Sequence, residues 1–177
     1  MTDQAIIDRI LGGNDEAFAE LVARHHDRCA RIAWRILGNR EDAEEAVQDA
    51  FLRAYRALAS YENRERFAPW LTRILVNQCR SVRARSARRD QVFSDVEVSE
   101  LTIASPGADP VHIWPELEHA LALLPADQRE ALVLRYADDL TYQEMSRITG
   151  AGESALKMRV QRAFTRLRTL LKEVASV

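Results

Sequence analysis

The stretch TYQEMSRITGAGESALKMRVQRAFTRLRTLL, residues 141–171, decides how the rest of the chain is read. Thr141 with Glu144 three residues on is a capping box, which satisfies two backbone N–H groups at a helix start. The helix it opens can bury Tyr142, Met145 and Ile148 before Gly150 stops it. After Ala151-Gly152 a longer helix begins, with an apolar side of Ala155, Leu156, Val160, Ala163, Phe164, Leu167 and Leu171. Its other side carries Ser154, Lys157, Met158, Gln161, Arg162 and Thr165. Two helices joined by a tight glycine-containing turn, the second basic on its outer face, form the pattern of a helix-turn-helix. A major groove accepts one such helix, whose side chains reach base edges while flanking Lys and Arg meet phosphates. A plain helical hairpin with a solvated basic face shares this local pattern, so the rest of the chain must discriminate.

Upstream, the apolar positions keep a helical spacing almost throughout. Leu117, Ala120, Leu121 and Leu124 begin the helical set that leads into the motif, broken at Pro125, followed by Ala131, Leu132, Leu134 and Tyr136 and a turn at Asp138-Asp139. Near the start, Ile6, Ile7, Ile10 and Leu11 form a short stripe ended by Gly12-Gly13. A long amphipathic helix from about Asn14 or Asp15 follows, with Phe18, Leu21, Val22, His25, Cys29, Ile32, Ala33 and Ile36 on one side and Gly38 at its end. Asn39 and Asp42 resemble a second capping box, opening a helix that buries Ala43, Ala46, Val47, Ala50, Phe51, Ala54 and Leu58. Its opposite face offers Glu45, Gln48, Asp49, Leu52 and Arg56. Ala59 to Arg66 reads as a loop, and Pro69 then sits in the first turn of a helix with Trp70, Leu71, Ile74, Leu75, Cys79 and Val82 inside. The fold class is all-α.

Charge divides the 177 residues more sharply than the net value of -2 suggests. Arg64, Arg66, Arg73, Arg80, Arg83, Arg85, Arg88 and Arg89 stand against Glu65 alone, whereas from Asp90 to Glu118 every charged residue is acidic. The region 90–114 also lacks a core stripe and contains Gly107, Pro106 and Pro110, so it reads as a flexible acidic linker between a domain at 1–89 and a helix-turn-helix domain at 115–177. Tyr61, Phe67 and Trp70 beside Arg64, Arg66 and Arg73 combine stacking surfaces with phosphate partners, as a site for unpaired bases requires, although Trp70 suits the core better.

Several function classes lose support. No run is long enough to cross a membrane, and Met1 to Asp15 does not resemble a signal peptide, so a cytoplasmic protein without membrane insertion is expected. Cys29 and Cys79 read as packed thiols, and His25, His26 and Cys29 lack a second ligand pair, so no metal or other cofactor is expected. No phosphate loop or nucleophile motif points to an enzyme.

The order of these segments resembles the extracytoplasmic-function sigma factors of the sigma-70 family. Residues 42–55, DAEEAVQDAFLRAY, are similar to that family's polymerase-binding helix; residues 67–74 with Asn77 are similar to its promoter-melting and minus-ten-reading helix. Leu124-Pro125, Gln128-Arg129-Glu130, Leu134-Arg135-Tyr136 and Thr141-Tyr142-Gln143-Glu144 resemble its fourth region. The resemblance covers nearly the whole chain. It implies two domains that carry core RNA polymerase to particular promoters in a stress or envelope response. Glu45, Gln48, Asp49 and Leu52 would face the clamp helices of the largest subunit, with the polymerase flap a further contact. Tyr61, Asn63, Arg64, Arg73, Asn77 and Arg80 would hold minus-ten DNA, and Ser154, Lys157, Met158, Gln161 and Arg162 the minus-thirty-five element. An anti-sigma factor is a further implied partner. Ser81 stands where the family often has Asp, and Ser154-Ala155 where it often has Gly-Thr. The other class weighed is a helix-turn-helix regulator that does not bind core polymerase.

Overall fold

The computed structural model describes residues 1–62, 66–92, 115–136 and 139–174, and their regular structure is helical. The helices are α1 (Asp3–Leu11), α2 (Phe18–Leu37), α3 (Arg40–Ala57), α4 (Phe67–Val92), α5 (Pro115–Ala122), α6 (Ala126–Tyr136), α7 (Tyr142–Thr149) and α8 (Glu153–Val174). Two compact units result. One contains Met1–Ala33 and the segment from Glu41 through α4; the other contains Trp34–Arg40 and α5 to α8.

In the first unit α1 is capped by Thr2, whose Oγ1 accepts from the Ala5 N–H at 3.3 Å. Gly13 closes it with φ +100, a conformation that costs glycine little. Ile6, Ile7 and Ile10 are buried, but Leu11, expected in the same stripe, is exposed. Asp3 binds α2 through Arg24 at 2.6 Å and His25 at 2.9 Å. A short 3-10 turn at Asp15–Ala17, rather than an α-helical start, leads into α2, which in this unit buries Leu21, His25, Cys29, Ile32 and Ala33. Helix α3 presents four alanines inward, Ala43, Ala46, Ala50 and Ala54, with Val47 and Phe51. In α4 the buried residues are Phe67, Leu71, Thr72, Leu75, Val76, Gln78, Cys79 and Val82, whereas Trp70 and Ile74 are only half-buried. Arg28 joins α2 to α4 by donating from Nη2 to Thr72 Oγ1 at 3.0 Å.

The expected linker started at Asp90, but α4 continues to Val92. Nothing from Arg89 to Val92 breaks a helix, since the next Pro and Gly are Pro106 and Gly107. The rest of that expected linker, residues 93–114, lies outside the described residues.

The second unit packs α8 against α5, α6 and α7. Its core is Ala120, Leu121, Leu124, Ala131, Leu132, Val133, Leu134, Leu140, Met145, Ile148, Leu156, Val160, Ala163 and Leu167. On α8 the last four recur at intervals of four, three and four, which is one helical stripe. Phe164, expected inside, is 54% exposed, because the position after Ala163 lies about 100° around the helix from it. Ala155, one position before Leu156, is exposed for the same angular reason, and Leu171 is half-buried.

Candidate functional site

Three surfaces carry the residues singled out from sequence. On α3, Glu45, Gln48 and Leu52 are exposed and Asp49 is half-buried, all on the face turned away from the alanine stripe. Leu52 is 47% exposed and also lines an open groove of about 810 Å³ with Phe18, Val22, Phe51 and Tyr55. Asp15, Glu16, His26 and Asp27 complete its lining. The Phe18 ring stands edge-on to both Phe51 and Tyr55, with centroids 6.4 and 5.0 Å away. Helical spacing alone does not disclose this groove: Phe18 and Val22, expected on the core side of α2, are only half-buried. Nor does it disclose that Glu45 is engaged. Arg85 Nη2 of α4 lies 2.8 Å from Glu45 Oε1, and Asp42 accepts from Ser86 Oγ at 3.2 Å with Arg89 at 3.9 Å. The acidic start of α3 therefore holds the arginine-rich end of α4.

The second surface lies at the start of α4. Tyr61, Phe67 and Trp70 pack on one another with centroids 5.1 to 5.9 Å apart. Phe67 is a core residue, while Tyr61 and Trp70 leave part of their rings open. Arg73 and Asn77 are exposed and Arg80 half-buried, at positions four and then three residues apart, so they make one stripe on α4. Asn63 and Arg64, expected on the same surface, lie outside the described residues. Beneath the aromatic cluster, His25 packs on Phe67 at 5.2 Å. Burial lowers the His25 pKa from its ordinary 6.5; Asp3 opposes this, and Arg28 and Arg24 add to it.

The third surface is the helix-turn-helix. Thr141 Oγ1 accepts from the Glu144 N–H at 3.2 Å, and Glu144 Oε2 accepts from the Thr141 N–H at 2.9 Å, so the capping box is complete. Gly150, at φ +74, ends α7 in the left-handed conformation. Thr149 braces the turn by donating to the Met145 carbonyl at 2.8 Å and accepting from the Ala151 N–H at 3.2 Å. This fixes where α8 starts. Ser154, Lys157, Met158, Gln161 and Arg162 are all exposed, opposite the buried stripe. Phe164 continues that outer side and meets the exposed Tyr136 at 6.5 Å.

Among the described residues no helix is long and apolar enough to cross a membrane. Residues 21–89 match the family model Sigma-70 region 2, and residues 115–167 match Sigma-70, region 4. The chain is 30% identical over 168 residues to RNA polymerase sigma factor CarQ of Myxococcus xanthus, covering 95% of this chain and 97% of that relative. It is 32% identical over 175 residues to the ECF RNA polymerase sigma-E factor of Escherichia coli K12, covering 92% and 91%. Among solved structures, the sigma factor RpoE in complex with the anti-sigma factor NepR from Bartonella quintana aligns with TM-score 0.75 and 28% identity, over 88% of this chain and 96% of that one. CnrH in complex with the cytosolic domain of CnrY aligns with TM-score 0.69 and 27% identity, over 97% of each.

Proposed function

The chain belongs to the sigma-70 family and is a sigma factor of the extracytoplasmic-function type that directs transcription initiation, and we propose that it divides this work among the three surfaces. Glu45, Gln48, Asp49 and Leu52 of α3 dock on the clamp helices of core polymerase. Tyr61, Asn63, Arg64, Arg73, Asn77 and Arg80 hold the minus-ten strand once it opens. Ser154, Lys157, Met158, Gln161 and Arg162 read the minus-thirty-five element, and the domain that carries them also meets the polymerase flap. The first domain runs from residue 1 through the end of α4 at Val92 and the second over 115–177, with the residues between them as the connection. The protein works in the cytoplasm as a regulator without catalytic activity of its own, and an anti-sigma factor, the kind of partner the Bartonella quintana neighbour is solved with, is a partner.

One observation carries this reading: all five residues assigned to the minus-thirty-five element are exposed on one helix whose opposite stripe is the core of its domain. That is how a helix must be built to enter a major groove while its fold stays closed. The test is footprinting of purified chain plus core polymerase on its own promoter region. Protection is expected in two patches about two helical turns apart, with a transcript starting downstream. A holoenzyme that protects the minus-ten region alone overturns the role given to α8.

A further inference from the structure

Two cations of the second unit share one aromatic ring. The Lys157 ammonium lies 5.6 Å from the centroid of the Tyr142 ring, and the Arg135 guanidinium carbon lies 5.6 Å from the same point. At such distances the ring quadrupole attracts a cation. Arg135 is restrained, since its Nη1 donates to the Leu140 carbonyl at 3.2 Å and its guanidinium also lies 5.8 Å from the Tyr136 centroid. Tyr142 is restrained as well: it is the first residue of α7, directly after the capping residue Thr141, and half-buried. Lys157 is different. It is exposed near the start of α8, on a stem of four freely rotating carbons.

We infer that Tyr142 is a positioning residue for minus-thirty-five recognition, its ring holding the Lys157 ammonium where it can reach a base edge. The inference rests on the reading of Lys157 as a base-contacting residue. An unrestrained lysine is a mobile point charge, as well suited to a phosphate as to a base. A lysine leaning on a fixed ring approaches the groove from one direction, and less rotamer freedom is lost when it binds. Arg135 near the same ring is a like charge, which disfavours a closer approach of the ammonium to it. Gln161 stands four residues from Lys157, one turn along α8, so a held Lys157 and Gln161 address adjacent steps of the groove. The ring and not the hydroxyl is the active feature, and this separates Tyr142 from an ordinary phosphate contact.

The experiment measures transcription by the reconstituted holoenzyme on a panel of minus-thirty-five variants, using Tyr142→Phe, Tyr142→Leu, Lys157→Ala and the double variant Tyr142→Leu/Lys157→Ala. Tyr142→Phe should keep the wild-type ranking of the panel. Tyr142→Leu should shift that ranking in the same direction as Lys157→Ala, by on the order of ten-fold between best and altered sites. The double variant should shift it no further. Equal losses on every sequence with Tyr142→Leu, additive shifts in the double variant, or a Tyr142→Phe variant that behaves like Tyr142→Leu each overturn the inference. If Lys157→Ala shifts the ranking and Tyr142→Leu does not, the base reading stands and the inference alone fails. If Lys157→Ala leaves the ranking unchanged, both fall.

Discussion

Arg85 Nη2 sits 2.8 Å from Glu45 Oε1, so a residue of the basic run that ends α4 and a residue proposed to face polymerase on α3 are paired with each other. Both side chains are about half exposed, at 51% and 45%, and an exposed pair contributes only about 0–1 kcal/mol. Arg85→Ala should therefore leave the melting temperature close to wild type while changing polymerase affinity through the freed Glu45. A large fall in Tm would mean that the pair, together with Ser86 and Arg89 on Asp42, is a structural clamp on the end of α4.

Leu52 gives the sharper test of the polymerase face. Its side chain is 47% exposed, so Leu52→Arg adds a charge at little cost to folding. The expected result is weaker binding to core polymerase with unchanged helicity and Tm, and Asp49→Lys should act in the same direction. Normal polymerase affinity in both variants would remove this face from the assignment.

On the DNA side, two signatures should separate. Gln161→Ala should alter the preference among minus-thirty-five sequences, with a loss on the order of 1–3 kcal/mol at the preferred site if a bidentate base contact is removed. Arg73→Ala should weaken minus-ten binding evenly across sequences and reduce the salt slope by about one. Salt-titrated binding by the holoenzyme distinguishes them. An even loss with Gln161→Ala would show that α8 is not reading bases at that position.

His25 supplies a pH dependence. Its folded pKa lies below 6.5, so between that folded value and 6.5 the unfolded chain binds more protons than the folded one. The contribution is thus fully present above pH 6.5 and is lost as pH falls toward the folded pKa. Urea midpoints measured from pH 8 downward should decline through this window, and His25→Gln should flatten the decline. An NMR titration that places His25 above 6.5 would reverse the sign: Asp3 would then have prevailed over burial.

The corrected inner face of α8 is checked by a pair of truncations. Leu156→Ala should cost about 2–5 kcal/mol, because Leu156 is 1% exposed. Phe164→Ala should cost under about 1 kcal/mol, since Phe164 is 54% exposed. Comparable losses would return Phe164 to the core.

Much of this architecture could be read from spacing alone, because period and caps are local properties. The Thr141–Glu144 box, the stop at Gly150 and the stripe Leu156, Val160, Ala163, Leu167 all follow from residues within a few turns of one another. Errors arose where hydrophobicity was taken for burial: Leu11, Phe164 and, in part, Phe18 and Val22 are apolar side chains at the margins of their stripes. Contacts between distant segments were not legible either. Asp3 on Arg24 and His25, Glu45 on Arg85 and the Tyr142 ring between Arg135 and Lys157 depend on how helices come to lie side by side. No spacing rule within one helix encodes that. The outward placement of Glu45, Gln48, Leu52, Arg73, Asn77 and the five α8 residues follows from helical period, whereas the pairings among side chains do not.

The completed cap of α7, the left-handed Gly150 and the buried stripe of α8 are formed by residues entirely different from Ser154, Lys157, Met158, Gln161 and Arg162. Under the proposed assignment, folding and address are thus written on separate letters of the same segment. If the outer residues read the promoter as proposed, substitutions there can change the target while the inner residues keep the fold closed. A change of target promoter then requires no intermediate that fails to fold.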